Sequence, residues 1–239
     1  YYIFFRLSFV FSSLHKFLNI YLLSYSFQYY IIAFEVILMT IDSQNLLESI
    51  LESLNRIDYI RPEDVPGIDL YMDQVTTFMD SQLKASKRYE DDKILTKTMI
   101  NNYAKNRLLP PPEKKKYSKE HVLLLIFIYY YKGIIPMNEI QTLLKPLTDR
   151  YFQNGQVFDL ESVYKEVVVL EKEQLEDLKK DVVEKFRRAE DSFTEVTGEE
   201  QEFLQKFALI CLLSFDVYMK KMIVEQLVDE STGTGEGSS

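Results

Sequence analysis

The chain has 239 residues, 28 lysines and arginines against 37 aspartates and glutamates, a net charge of -9, one cysteine, two histidines and no tryptophan. That length supports one or two domains with a real core, while a single cysteine excludes a disulfide framework and a thiolate zinc site, and His15 and His121 alone argue against a histidine-ligated metal. Seven glycines and seven prolines argue against an all-β or glycine-looped α/β fold, and 46% hydrophobic with 27% charged residues is ordinary for a globular chain.

Residues 1–38 stand apart. They hold 13 of the 33 aromatics, only Arg6, Lys16 and Glu35 as charges, and no glycine, proline or aspartate; the first methionine is Met39. Phe17 to Phe34 is uncharged, but Asn19, Ser24, Ser26 and Gln28 dilute it as a membrane helix, and no small-residue cleavage site follows it. The span is read as non-native upstream sequence translated in frame ahead of Met39, with a membrane segment as the alternative.

Residues 39–68 are read as an N-terminal helix and linker. Leu46, Leu47, Ile50, Leu51 and Leu54 form a helical stripe over Ile41 to Ile57, and Arg61-Pro62 to Pro66-Gly67 is rich in turn residues. A second helix is predicted from Asp69 to Ser86, with Leu70, Val75, Phe78, Met79 and Leu83 inward. Arg88 to Lys93 is a charged loop. A third helix opens at Leu95 or Thr96 and ends near Asn106, and Pro110-Pro111-Pro112 then stops Leu108-Leu109. The only strand candidate is a short hairpin at 108–117.

Ser118 caps a fourth helix, Lys119 to Lys132, with Gly133 at its C-terminus. Val122 to Tyr131 is apolar all round and too short to span a bilayer, so it reads as a buried central helix. A fifth helix starts near Pro136, carries Ile140, Leu143 and Leu144 inward, and is ended by Pro146. Phe158 to Phe186 is a long charged amphipathic helix. Thr197-Gly198-Glu199-Glu200 reads as a capping box for a last helix from Gly198 to about Val228, with a buried patch at Phe207 to Phe215. Residues 231–239, Ser-Thr-Gly-Thr-Gly-Glu-Gly-Ser-Ser, read as a disordered tail.

Charge is segregated. Residues 80–121 carry 11 Lys and Arg against 6 Asp and Glu, whereas residues 39–79 carry 2 against 8 and residues 122–239 carry 13 against 22. A basic stretch in an acidic chain is either a solvated face or an electrostatic footprint for phosphates. Its internal pattern favours the second. From Thr96 to Asn106, Met99, Ile100 and Tyr103 share an inner face, leaving Lys97, Thr98, Asn101, Asn102 and Lys105 outside. Asparagine reads adenine, threonine meets a thymine methyl, and lysine meets guanine or phosphate. Arg107 follows, and Lys114, Lys115, Lys116 and Tyr117 lie in a proline-bounded turn where they can straddle a phosphate backbone.

These residues carry a resemblance. Met99 to Leu109, Met-Ile-Asn-Asn-Tyr-Ala-Lys-Asn-Arg-Leu-Leu, resembles the recognition-helix motif of MerR-type winged helix-turn-helix regulators at Ile100, Tyr103, Leu108 and Leu109. Tyr117-Ser118 resembles the step after that family's wing, and Gly133 with Ile140, Leu143 and Leu144 resembles its next helix. Asn101 stands where that family has arginine, and Arg107 where it has glycine. Asp69 to Val75, Leu108 to Pro112 with Lys116 to Ser118, and Gly133 to Leu147 also resemble the YkrK-like bacterial proteins, a family of unknown function. That resemblance implies a cytoplasmic transcriptional regulator.

The resulting expectation is an all-α protein. A MerR-like winged helix-turn-helix domain over 69–147 binds double-stranded DNA as a homodimer joined through a helical region at 157–230. No metal or cofactor is expected, and no membrane association if translation starts at Met39. No catalytic constellation is visible: Cys211, inside Phe207 to Phe215, reads as a buried core thiol, His121 as a helix-end residue, and no phosphate loop, H-E-x-x-H or G-x-S-x-G is present. The competing expectation is a helical protein-interaction module whose basic residues are mere surface.

Overall fold

The computed structural model describes residues 45–55 and 60–232. The expectations for residues 1–38 and for the tail lie outside them, except for Ser231 and Thr232, which end the last helix. The chain divides into two compact units at residues 52 and 53. Residues 45–55 are helical, and the outer ends of the expected Ile41–Ile57 helix lie outside the described residues.

From Ile60 onward the chain is mostly helical. A 3-10 turn, Pro62–Asp64, is closed by the Arg61 guanidinium on the Asp64 carboxylate at 3.0 Å. The second expected helix starts late: Leu70–Tyr71 is a strand, β1, and α1 runs Met72–Gln82, followed by a 3-10 turn at Lys84–Ser86. α2 is Lys97–Lys105. Thr96 caps it, its hydroxyl accepting from the Met99 N–H at 3.2 Å. β2, Lys116–Tyr117, pairs antiparallel with β1 in the register Leu70 to Tyr117 and Tyr71 to Lys116. The expected local hairpin at 108–117 is thus reduced to one bridge, Glu113 to Lys116, because β2 spends its ladder bonds on Leu70 and Tyr71, far upstream in the chain.

α3, Lys119–Tyr131, is the centre of the core. Every residue from His121 to Ile128 is buried, as an all-apolar helix requires. β2 and α5 pack against it, and its residues join one cluster with Val75, Met79, Ile100, Tyr103, Leu109, Ile140 and Tyr164. Gly133 follows it without the left-handed conformation expected of a C-terminal glycine. α4 is Met137–Tyr151, and Pro146 lies inside it rather than after it. Interior proline costs about 3 kcal/mol. Here Leu144, Leu147 and Tyr151 continue one apolar stripe onto the core on either side of Pro146, and that packing outweighs the local cost.

α5 runs Leu160–Glu190, its N-cap Asp159 accepting from the Ser162 N–H at 2.9 Å, and α6 runs Glu199–Thr232. They lie antiparallel: Lys185 bridges Asp216 at 2.7 Å and also pairs with Asp181, while the Gln205 amide donates to the Glu190 carbonyl at 2.6 Å. Gly198 directly precedes α6; its carbonyl accepts from the Glu202 N–H, and its φ of 71° is one that glycine tolerates. The expected buried patch on α6 is corrected. Leu209 alone is buried between Phe207 and Phe215, Cys211 is exposed, and Phe203, Ile210, Val217 and Tyr218 also face outward. The apolar residues of α6 are spread around the helix, and α5 and α4, which pack on it, leave many of them exposed. No described helix is long and apolar enough to cross a membrane.

Candidate nucleic-acid interface

α2 places its side chains by its buried face. Ile100 and Tyr103 are sealed in the core, and this turns Lys97, Thr98, Asn101, Asn102 and Lys105 to the surface. Lys97 is paired: its ammonium meets the Asp73 carboxylate and ties the start of α2 to the start of α1. Beyond the end of α2 and its C-cap Asn106, Arg107 has a φ of 57°, the left-handed conformation that favours glycine there. The Leu108 and Leu109 N–H groups both return to the Tyr103 carbonyl, at 2.9 and 3.2 Å.

The lysine turn has a specific geometry. Lys114 and Lys115 have φ values of 49° and 65°, and the Lys116 N–H donates to the Glu113 carbonyl at 2.8 Å. Two consecutive left-handed residues inside such a bond make a type I′ turn, whose usual occupants are asparagine and glycine. Both lysines are exposed at its tip. Lys116 turns back, its ammonium 5.4 Å from the centre of the Tyr71 ring. Because Tyr71 leads into α1 and Asp73 holds Lys97, the lysine turn and the start of α2 flank the same end of α1.

Tyr117 departs from the expected surface set. It is 3% exposed, packed edge-on against His121 at 5.5 Å, and its phenol is pushed above its ordinary pKa by burial. As a ladder partner of Leu70 it must face the core side of the pair.

Three supporting contacts carry no sequence signal. The Lys132 ammonium donates to the Ile94 carbonyl at 2.9 Å and sits 4.4 Å from the Tyr129 ring centre, fastening the segment before α2 to α3. The Gln153 N–H donates to the Glu120 carboxylate at 3.0 and 3.1 Å, and the Tyr164 hydroxyl donates to the Ile60 carbonyl at 2.7 Å. The left-handed lysine turn was also invisible, because a Lys-Lys pair does not announce a type I′ turn. The glycine at the Arg107 position of the MerR-type motif was the signal available for the other left-handed residue.

His121 holds the base of this region. Its Nδ1 accepts the Ser118 N–H at 3.0 Å and meets the Ser118 hydroxyl at 2.8 Å, while the ring lies edge-on to Phe152 at 4.8 Å. Nδ1 is therefore the unprotonated nitrogen. Burial lowers the pKa below the ordinary histidine value; the carbonyls of Pro111 and Pro110 oppose this, although no bond of standard geometry reaches Nε2. The unfolded chain then binds the proton more tightly than the folded one. The stabilisation conferred by the neutral ring is complete above the ordinary histidine value of 6.5 and is lost as pH falls from there through the lowered folded value. Urea titrations from pH 7.5 to 5 should show this loss in the wild type and its disappearance in His121→Asn, which keeps a side-chain acceptor for the Ser118 N–H. A parallel loss in the variant would assign the dependence to other groups.

Among the described residues no cluster of histidine, cysteine, aspartate and glutamate could hold a metal ion. No curated protein and no solved structure matches the chain. Residues 60–167, from the first core residue through the opening turns of α5, match the family model of a domain of unknown function (DUF1836).

Proposed function

We propose that this chain is a sequence-specific, dimeric DNA-binding transcriptional regulator that inserts α2 in the major groove and grips phosphate with the lysine turn. The observation that carries the reading is the outward face of α2. A core-anchored, capped helix presents Thr98, Asn101, Asn102 and Lys105 together, flanked by Lys114 and Lys115 at the strained tip of a turn. The resemblance of Met99 to Leu109 to the MerR-type recognition helix supports it, and the YkrK-like blocks point to the same role in the cytoplasm. Arg107 joins the phosphate-facing set, Lys97 contributes once DNA displaces Asp73, and Tyr117 supports the turn from within. Residues 83–96 between α1 and α2 are far longer than the ~3–4 residues of an ordinary helix-turn-helix turn, so the two helices form an expanded version of it. No cofactor or chemical step enters this reading.

A helical interaction module is the second reading, favoured by the exposed apolar residues of α6. In the first reading the same residues join two copies, as two half-sites require. A selection of genomic fragments by the purified chain, read by sequencing, separates them. Recovery of an inverted repeat supports the dimeric regulator. Recovery of no preferred sequence overturns it in favour of the module. Asn101→Ala should then relax one position of the recovered site by about 1–3 kcal/mol without altering the others.

A further inference from the structure

A cleft of about 580 Å³ lies between α2, Leu108 and the first turn of α4. α2 and its C-cap supply Met99, Asn102, Tyr103 and Asn106, whose spacing places them on one helical flank. Its floor is apolar and buried, Tyr103 and Leu108 each being 5% exposed. Met99 and Met137 face it from the two helices, and the more exposed Asn102, Asn106, Asn138 and Gln141 contribute four carboxamides. No lysine, arginine, histidine, aspartate or glutamate lines it.

That lining selects a class of ligand. Four carboxamides offer donors and acceptors side by side, which suits the edge of a nitrogen heterocycle. Two polarizable thioethers and a phenol ring suit its flat faces. With no cation in the lining, a phosphate or carboxylate would be desolvated without compensation, and Glu139 in the first turn of α4 adds charge of the wrong sign. The hydroxyl of Tyr103, a residue that lines the cleft, is buried without a hydrogen-bond partner, and the volume lies within the usual range for small-molecule sites.

We infer that this cleft binds a small uncharged heteroaromatic molecule of the nucleobase or nucleoside type. Asn102 stands on both the cleft and the exposed face of α2, so occupancy also weakens DNA binding; this second consequence rests on the proposed function, whereas the site itself does not. The test uses the full chain without DNA, titrated calorimetrically with adenine, adenosine and adenosine monophosphate. Adenine and adenosine should bind, and the monophosphate at least tenfold more weakly. Asn138→Leu with Gln141→Leu, both on the outer part of α4, should keep the melting temperature and weaken adenosine at least tenfold. Absence of heat with both neutral probes, tighter binding of the monophosphate, or unchanged affinity in the double variant would overturn the site. Adenosine binding that leaves a selected DNA complex intact would overturn only the coupling, and failure to select any DNA would count against the proposed function alone.

Discussion

Replacing Leu124 with alanine is expected to lower the unfolding free energy by about 3–5 kcal/mol, the upper part of the range for large-to-small changes in a core. Leu124 is 0% exposed and lies midway along α3, where the neighbours Val122 to Ile128 are buried on every side of the helix. A helix covered on one face can tilt to close a cavity. α3 has no free face toward which to move, since β2 and α5 pack on it and α2 and α4 contribute Ile100, Tyr103, Ile140 and Leu144 to the same cluster. The loss is a large part of the roughly 5–15 kcal/mol that holds a domain together. Urea unfolding should show a lower midpoint at unchanged slope. Leu170→Ala is the control: Leu170 is 64% exposed on α5, and its truncation should move stability by less than about 0.5 kcal/mol. If the two variants were equally mild, α3 could not be the centre of the core.

α3 was legible in the sequence for the same reason that it is sensitive. An apolar run flanked by Ser118 and Lys132 has few alternatives to a buried helix. α2 was legible because Thr96 is a good cap and because Met99, Ile100 and Tyr103 share a face. Where local and tertiary signals disagreed, the pattern misled. Pro146 argued for a helix end, but Leu147 and Tyr151 beyond it reach the core only if the helix continues. On α6 the apolar residues run all round, so no periodicity tells which of them α5 covers; Leu209 is covered, whereas Phe207, Cys211 and Phe215 are not. β1 was hidden because a two-residue strand has almost no pattern and its partner is remote. In the candidate interface, the residue types on the outside of α2 followed from helical spacing. The burial of Tyr117 and the pairing of Lys97 with Asp73 depend on the remote strand β1 and on how α1 packs beside α2, which no local pattern could give.

Converting Lys114-Lys115 to Asn-Gly is expected to make the protein more stable and a weaker binder of DNA. Each lysine now sits in a left-handed conformation that costs a side-chain-bearing residue roughly 1–2 kcal/mol. Asparagine tolerates that conformation and glycine adopts it freely, and the pair is the preferred occupant of a type I′ turn. Relief of strain should therefore raise the unfolding free energy by about 1–3 kcal/mol, read by thermal or urea unfolding. The bridge from Glu113 to Lys116 and the β1–β2 ladder would be kept, because neither uses the two replaced side chains. Against this, two exposed cations leave the tip. If each neutralises one phosphate, the slope of log affinity against log salt should become shallower by about 2, with all sequences weakened alike. Lys114→Ala, Lys115→Ala and Lys116→Ala together should flatten the slope further while leaving the strain in place, so the two variants separate charge from conformation. Strain held at an exposed cationic tip is the arrangement expected when function opposes stability. A double variant that gained stability and still bound DNA with the parental salt dependence would remove the lysine turn from the interface; one that lost stability would show that the turn is not left-handed at those residues.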